Sequence, residues 1–370
     1  MFVRGGRRWV AIATLAVGTL AAGSVASPAP AVARTPAACT DRADVARPIT
    51  LRVGGQPAKG RFALPATAPR TLVVMAHGYG HTTASWAHHM RLAARHGLAA
   101  IGMDYRGIKI SKDSNGDGFP ESRGFNIMKG SADLIAAARA FEARCRSIDR
   151  IVLFSVSLGG NVGGIALARA ADLDRPVDDP LFDDWINVEG LVNLTETATE
   201  ARVLAPVNGG AAEADEDIRA ECGGTFEEVP EAYLERTVVA RVPDIAASGL
   251  RSAVVIHSID DGLVPYDQAR EMATLLAASG IATDMVTIGR RSPESERETT
   301  LSGAVAGQLD PDYTSPLSGH ASEKSSTHIV MVTAFERLWA LLDGDTPGPY
   351  REFAVDGEVG TFPPLVGRDV

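Results

Sequence analysis

Arg150-Ile-Val-Leu-Phe154 runs directly into Ser155-Val156-Ser157-Leu158-Gly159-Gly160, and an Ala-rich segment continues from there to Ala171. The first run is apolar, uninterrupted and of strand length, which predicts a strand buried on both faces. The segment after it predicts a helix over 158–171. A buried strand that gives way to a helix within a few residues is the repeating unit of a parallel sheet with crossover helices.

The unit recurs on both sides. Upstream, Thr71-Leu-Val-Val-Met-Ala76 is a second continuous apolar run, ending in His77-Gly78-Tyr79-Gly80, and a helix over 84–95 follows it and stops at Gly97. The apolar run 98–103 ends at Asp104-Tyr105-Arg106-Gly107, and a helix over 131–144 leads back to the quoted strand. Downstream come strands around 186–193, over 252–257 and over 283–288, with helices over 266–278 and 326–342. Two shorter strands, 49–53 and 61–64, joined by a turn that begins Gly54-Gly55-Gln56-Pro57, predict an edge hairpin. The expected architecture is therefore α/β, a mostly parallel central sheet with helices on both faces. Residues 195–248, rich in Ala, Glu and Gly, break the alternation and predict an inserted helical cap. The stretch 289–319 reads as a long loop. Residues 344–370 begin with Pro347-Gly348-Pro349, show no clear period, and predict a tail lying over the surface.

Ser157 stands where a strand stops and a helix starts, with small residues two positions away on either side. That setting suits a sharp, strained turn that exposes the serine hydroxyl at the end of a sheet. A hydroxyl is a poor nucleophile at neutral pH, so a base must take its proton and a carboxylate must orient that base. The stretch resembles the nucleophile elbow of the α/β-hydrolase superfamily, whose usual pattern is G-x-S-x-G; here Ser155 stands where the first Gly is expected. Its esterase-like and lipase-like members and its prolyl-oligopeptidase-like branch both fit the Ser-Leu-Gly-Gly elbow. The resemblance spans about residues 49–342 and implies a chain order of Ser, acid, His.

Within Ile259-Asp260-Asp261-Gly262-Leu263-Val264-Pro265 the superfamily's acid lies four residues before a Pro, which selects Asp261, with Asp260 as the alternative. The base maps to His320 in Ser318-Gly319-His320-Ala321, with His328 as the alternative at the start of the last helix. Stabilising a tetrahedral oxyanion needs two backbone N–H donors, and the resemblance assigns them to Leu158 and to Tyr79. His77 and His81 are expected to shape the Tyr79 loop. The implied activity is hydrolysis of a carboxylic ester or related acyl bond through an acyl-serine, with a serine peptidase acting on short peptides as the alternative. No cofactor is required. A dehalogenase-type or epoxide-hydrolase-type mechanism would need Asp at the elbow and is set aside. A non-catalytic binding protein on the same fold is the alternative from another class, and the ordered Ser, Asp and His speak against it.

The chain has 370 residues and is 45% hydrophobic, enough for a sizeable core. A net charge of -10 and a pI near 5.3 argue against a nucleic-acid partner, because such binding relies on Lys and Arg neutralising phosphates. The expected partner is a small-molecule ester or peptide substrate. Arg4, Arg7 and Arg8, an apolar stretch over 9–26, and Ala31-Val32-Ala33 form a secretory signal pattern over 1–33, with 24–26 as a competing cleavage site. Export without stable membrane association follows from it, leaving 34–370 as the catalytic domain. Cys39, Cys145 and Cys222 allow three pairings with one thiol left over. Asp113, Asn115 and Asp117, with Gly118 and Glu121, imitate the first part of a calcium loop, but Gly124 stands where the closing Glu belongs. A polar turn is the competing account of that stretch.

Overall fold

A computed structural model describes residues 39–113, 118–259, 261–289, 320–356 and 359–360. The proposed signal segment 1–33, Asn115, Asp117, Asp260 and the segment 290–319 lie outside the described residues.

Among the described residues, ten strands form one sheet. In chain order they are β1 Arg47–Val53, β2 Gln56–Ala63, β3 Thr71–Ala76, β4 Ala99–Asp104, β7 Arg150–Val156, β8 Asp184–Val188, β9 Ser252–Ser258, β10 Ala282–Ile288, β11 Arg351–Asp356 and β12 Val359–Gly360; β5 Lys109–Ile110 and β6 Ser122–Arg123 form a separate small ribbon. The spatial order is β1-β2-β4-β3-β7-β8-β9-β10-β11-β12, and every neighbouring pair from β4 to β11 is parallel. The helices are α1 Ala87–Arg95, α2 Ile127–Arg144, α3 Leu158–Ala170, α4 Leu194–Leu204, α5 Gly209–Cys222, α6 Pro230–Glu235, α7 Val242–Ala247, α8 Tyr266–Ala278 and α9 Ile329–Leu342. A 3-10 turn, Val238–Arg241, precedes α7. This is the α/β-hydrolase fold.

The continuous apolar strands are explained by the two layers they separate. Successive residues of a strand face opposite sides. Leu72, Val74 and Ala76 of β3 enter a core with α2, α3 and α8, whereas Val73 and Met75 enter a second core with Trp86 and Met90 on the α1 side and Phe335 and Trp339 of α9. A strand covered on both faces has no polar side to show, so the period of two vanishes from its sequence.

The edges differ from expectation. The β1–β2 hairpin turns on Gly54 and Gly55, both with positive φ, so Gln56 and Pro57 already belong to β2. Pro57 pairs with Arg52 of β1 but precedes Lys59, where pairing with β4 begins, so its missing N–H costs the sheet nothing on that side. The C-terminal segment does not simply lie over the surface: β11 adds to β10 in parallel, with Asp284 paired to Arg351. Arg351 Nε and Nη2 reach Asp284 Oδ1 and Oδ2 at 2.7 Å each, and buried Arg337 of α9 meets the same carboxylate. A six-residue strand next to the sheet edge offers too short a pattern for periodicity to reveal.

Between β8 and β9 the chain runs through α4 to α7. Glycines on α3 let this insertion approach: a side chain at Gly164 would collide with Val238. Asp217 and Glu221 of α5, one helical turn apart on one face, reach down to the α/β body. Glu221 Oε1 accepts from Met128 N at 3.2 Å and from Arg236 Nε at 3.0 Å. Cys39 and Cys145 form a disulfide across 106 residues, which resolves the three possible pairings and leaves Cys222 as a buried free thiol. No helix among the described residues is long and apolar enough to cross a membrane.

Candidate active site

Ser157 follows β7 and precedes the first residue of α3 with φ 55° and ψ −126°. A left-handed backbone costs a non-glycine residue on the order of 1–3 kcal/mol and is kept where the surroundings over-determine it. Here they do. Ser157 N donates to Val188 O at 3.0 Å, and Ser157 O accepts from Leu191 N at 3.0 Å and Gly160 N at 2.8 Å. Gly159 lies against the Ala76 carbonyl and Gly160 against Gly190, so a Cβ at either position would collide with backbone.

Ser155 departs from the glycine pattern for a visible reason. Its fully buried hydroxyl accepts from Trp185 Nε1 at 2.9 Å and lies 3.2 Å from Asn187 Oδ1. Its Cβ faces Gly163, which leaves the room a side chain needs.

The turn after β3 lies beside the serine, since a Cβ at Gly78 would stand 3.1 Å from Ser157 Cβ and 3.5 Å from its Oγ. Gly80 supplies the positive φ that closes this turn. Several groups hold it. Tyr105 Oη donates to His77 O at 2.7 Å, and the buried Glu323 carboxylate accepts from Gly78 N and pairs with His81 Nδ1. The Tyr79 hydroxyl donates to Asp217 of α5 at 2.6 Å, and Arg123 and Gly124 N converge on the same carboxylate. Burial would raise the Glu323 carboxyl, but the His81 charge overrides it and holds it near 2. Leu158 is the first residue of α3, where backbone N–H groups have no intrahelical acceptor and the helix dipole favours negative charge.

Asp261 lies in the turn after β9. Its Oδ1 accepts from Leu263 N at 2.8 Å and Val264 N at 3.1 Å, and its Oδ2 meets His320 Nδ1 at 2.7 Å. His257 Nε2 lies 3.2 Å from the same oxygen. Burial opposes the charge of both partners, yet their mutual attraction wins: Asp261 is held well below the usual carboxylate range, and His320 rises to about 9. The structure thus brings Asp261 and His320 together and places Gly78, the residue before Tyr79, beside Ser157. The Ser157 hydroxyl forms no hydrogen bond with a described side chain.

His328, the alternative base, is instead the N-cap of α9, with Nδ1 accepting from Val330 N. Asp113 Oδ2 accepts from Gly118 N at 2.8 Å. Among the described residues, Glu189, Asp261 and His320 bring ligand-type atoms within 4.8 Å of one another. Two carboxylates here have no counterpart in the sequence reading, Glu323 beside the Gly78 turn and Glu189 beside the Asp261–His320 pair. Their partners lie 245 residues away for Glu323 and up to 132 for Glu189, so no local motif marks them.

The α/β-hydrolase sheet thus carries a strained serine at a strand-to-helix turn, with an Asp–His pair formed between the turn after β9 and the stretch before α9. The acetyl xylan esterase family (AXE1) matches residues 49–175, from β1 through α3. The fold is similar to that of the Pyrococcus horikoshii acylaminoacyl peptidase in its orthorhombic crystal form, at 16% identity and a TM-score of 0.50 over 72% of this chain and 40% of that one. It is equally similar to a Mycobacterium tuberculosis puromycin-hydrolyzing peptidase, at 17% identity and a TM-score of 0.50 over 84% of this chain and 41% of that one. A hyperthermophilic esterase from Pyrobaculum calidifontis matches at 21% identity and a TM-score of 0.49, over 66% of this chain and 75% of that one. The chain thus spans about two-fifths of the length of the two peptidases. No curated protein sequence matches it.

Proposed function

We propose that the chain hydrolyses a carboxylic ester through an acyl intermediate on Ser157. The observation that carries this is the strained Ser157 elbow packed against Gly78, with an Asp261–His320 hydrogen bond of 2.7 Å between the turn after β9 and the stretch before α9. His320 Nδ1–H donates to Asp261, which leaves Nε2 to take the Ser157 proton as Oγ attacks the carbonyl carbon. The C–O π pair moves onto the oxygen, where the N–H groups of Leu158 and Tyr79 receive the negative charge; losing one such donor typically costs about a hundredfold to a thousandfold in rate. Collapse expels the alcohol, which takes its proton from His320. Water, deprotonated by the same imidazole, then releases the acid and frees Ser157.

The acetyl xylan esterase match covers both the Tyr79 turn and the Ser157 elbow and favours an ester with a small acyl group, so acetylated carbohydrates are the first substrates to try. The insertion carrying α4 to α7 acts as a cap over the site and selects the substrate. The disulfide fits an oxidising, extracytoplasmic compartment, as the pattern over 1–33 does.

A fluorophosphonate probe tests the proposal. Labelling of the wild type, lost in Ser157→Ala, is the expected result. A folded wild type that stays unlabelled would overturn it and favour a binding protein. Parallel turnover of acetyl esters and blocked peptides separates esterase from peptidase, and faster peptide cleavage would overturn the ester preference.

A further inference from the structure

Glu189 sits at the end of β8 with φ 45°, one of three described non-glycine residues in the left-handed region, and it is fully buried. Its backbone N–H donates to Ile256 O at 2.8 Å. Its carboxylate spans two loops: Oε1 accepts from Ser258 N at 3.0 Å, three residues before Asp261, and Oε2 accepts from Ala321 N, the residue after His320. The same Oε2 lies 3.6 Å from His320 Nδ1, which Asp261 Oδ2 contacts at 2.7 Å. One imidazole nitrogen therefore faces two buried carboxylates.

We infer that Glu189 is a positioning residue for His320, a second acid that fixes the base loop against the acid loop and takes over the imidazole when Asp261 is lost. This rests on the catalytic reading of Ser157, Asp261 and His320. Two adjacent buried carboxylates resist double ionisation. Asp261 keeps its charge because two backbone N–H groups, His320 and His257 all favour it. Glu189, facing Asp261, His320 and His257, is raised by burial and then by the Asp261 charge to about 7. Neutralising Asp261 removes that repulsion, leaving Glu189 as the ionised group nearest Nδ1.

In a triad with one carboxylate, replacing the acid by its amide lowers kcat by about 10⁴ because the imidazole is held in the wrong tautomer. Here Asp261→Asn is expected to lower kcat by no more than about a hundredfold with KM changed less than about threefold, measured on p-nitrophenyl acetate with the full chain. Glu189→Gln keeps an acceptor for Ala321 N and is expected to lose about tenfold alone. The double variant should fall by the full ~10⁴. A loss near 10⁴ in Asp261→Asn alone, unchanged by adding Glu189→Gln, overturns the role of Glu189, and the single variant decides this even if Glu189→Gln fails to fold. Fluorophosphonate labelling of wild-type Ser157 separates the two failures: labelling together with the full loss refutes only Glu189, whereas no labelling refutes the reading beneath it.

Discussion

Replacing Ser155 by the glycine that the usual elbow pattern carries should damage the fold while sparing the chemistry. In the structure the Ser155 hydroxyl is the acceptor for Trp185 Nε1 at 2.9 Å, and both side chains are fully buried. Ser155→Gly leaves that indole N–H without a partner, at about 1–3 kcal/mol for a buried unsatisfied donor. Glycine inside a strand adds roughly 0.5–1 kcal/mol of backbone entropy. The sum is about 1.5–4 kcal/mol, a large share of the 5–15 kcal/mol that typically separates folded from unfolded domains. Ser155→Ala retains Cβ and should lose only the hydrogen-bond part, about 1–3 kcal/mol. Urea denaturation followed by tryptophan fluorescence reads both variants, and kcat at low temperature should stay within a few-fold of wild type because Ser155 faces β8. A Ser155→Gly protein as stable as wild type would refute the assignment of this hydroxyl as a structural acceptor.

Two further outcomes follow from the site and its frame. In the proposed mechanism His320 must be neutral to accept a proton, and burial opposes the Asp261 charge that lifts it to about 9, so kcat/KM should rise with pH with a midpoint alkaline of the ordinary 6.5; Asp261→Asn should move that midpoint down, and a wild-type midpoint at or below 6.5 would contradict the pairing. Reducing Cys39–Cys145 should lower the urea midpoint by the equivalent of about 4–5 kcal/mol, the constraint expected of a loop of roughly 100 residues, whereas Cys222→Ser should leave it nearly unchanged.

How much of this was legible beforehand follows physical range. β3 and β7 could be read because burial on both faces leaves a run that only a central parallel strand tolerates, and Ser157 because strain and small neighbours are local. Asp261 and His320 needed the superfamily order in addition, since each alone is an ordinary turn residue. Glu189 was hidden for another reason: it lies just past the true end of β8 at Val188, inside what reads as a longer strand, and its left-handed backbone replaces the glycine that would have announced a turn. The choice of Cys145 for Cys39 depended on the tertiary approach of their Cα atoms to 5.4 Å. β11 depended on Asp284, whose charge is satisfied only when Arg337 and Arg351 converge on it.

The hydrogen bond from Tyr79 to Asp217 bears on how such a protein can be re-engineered. Tyr79 contributes its side chain to the helical insertion and its backbone to the turn beside Ser157, so the two parts are not independent modules. A graft that exchanges α4 to α7 for another insertion would transplant a new pocket and also release the phenol, Arg123 and Gly124 N from their common acceptor. Successful chimeras should therefore be those that carry an acid at the Asp217 position, or that replace Tyr79 and Arg123 together with the helices they hold.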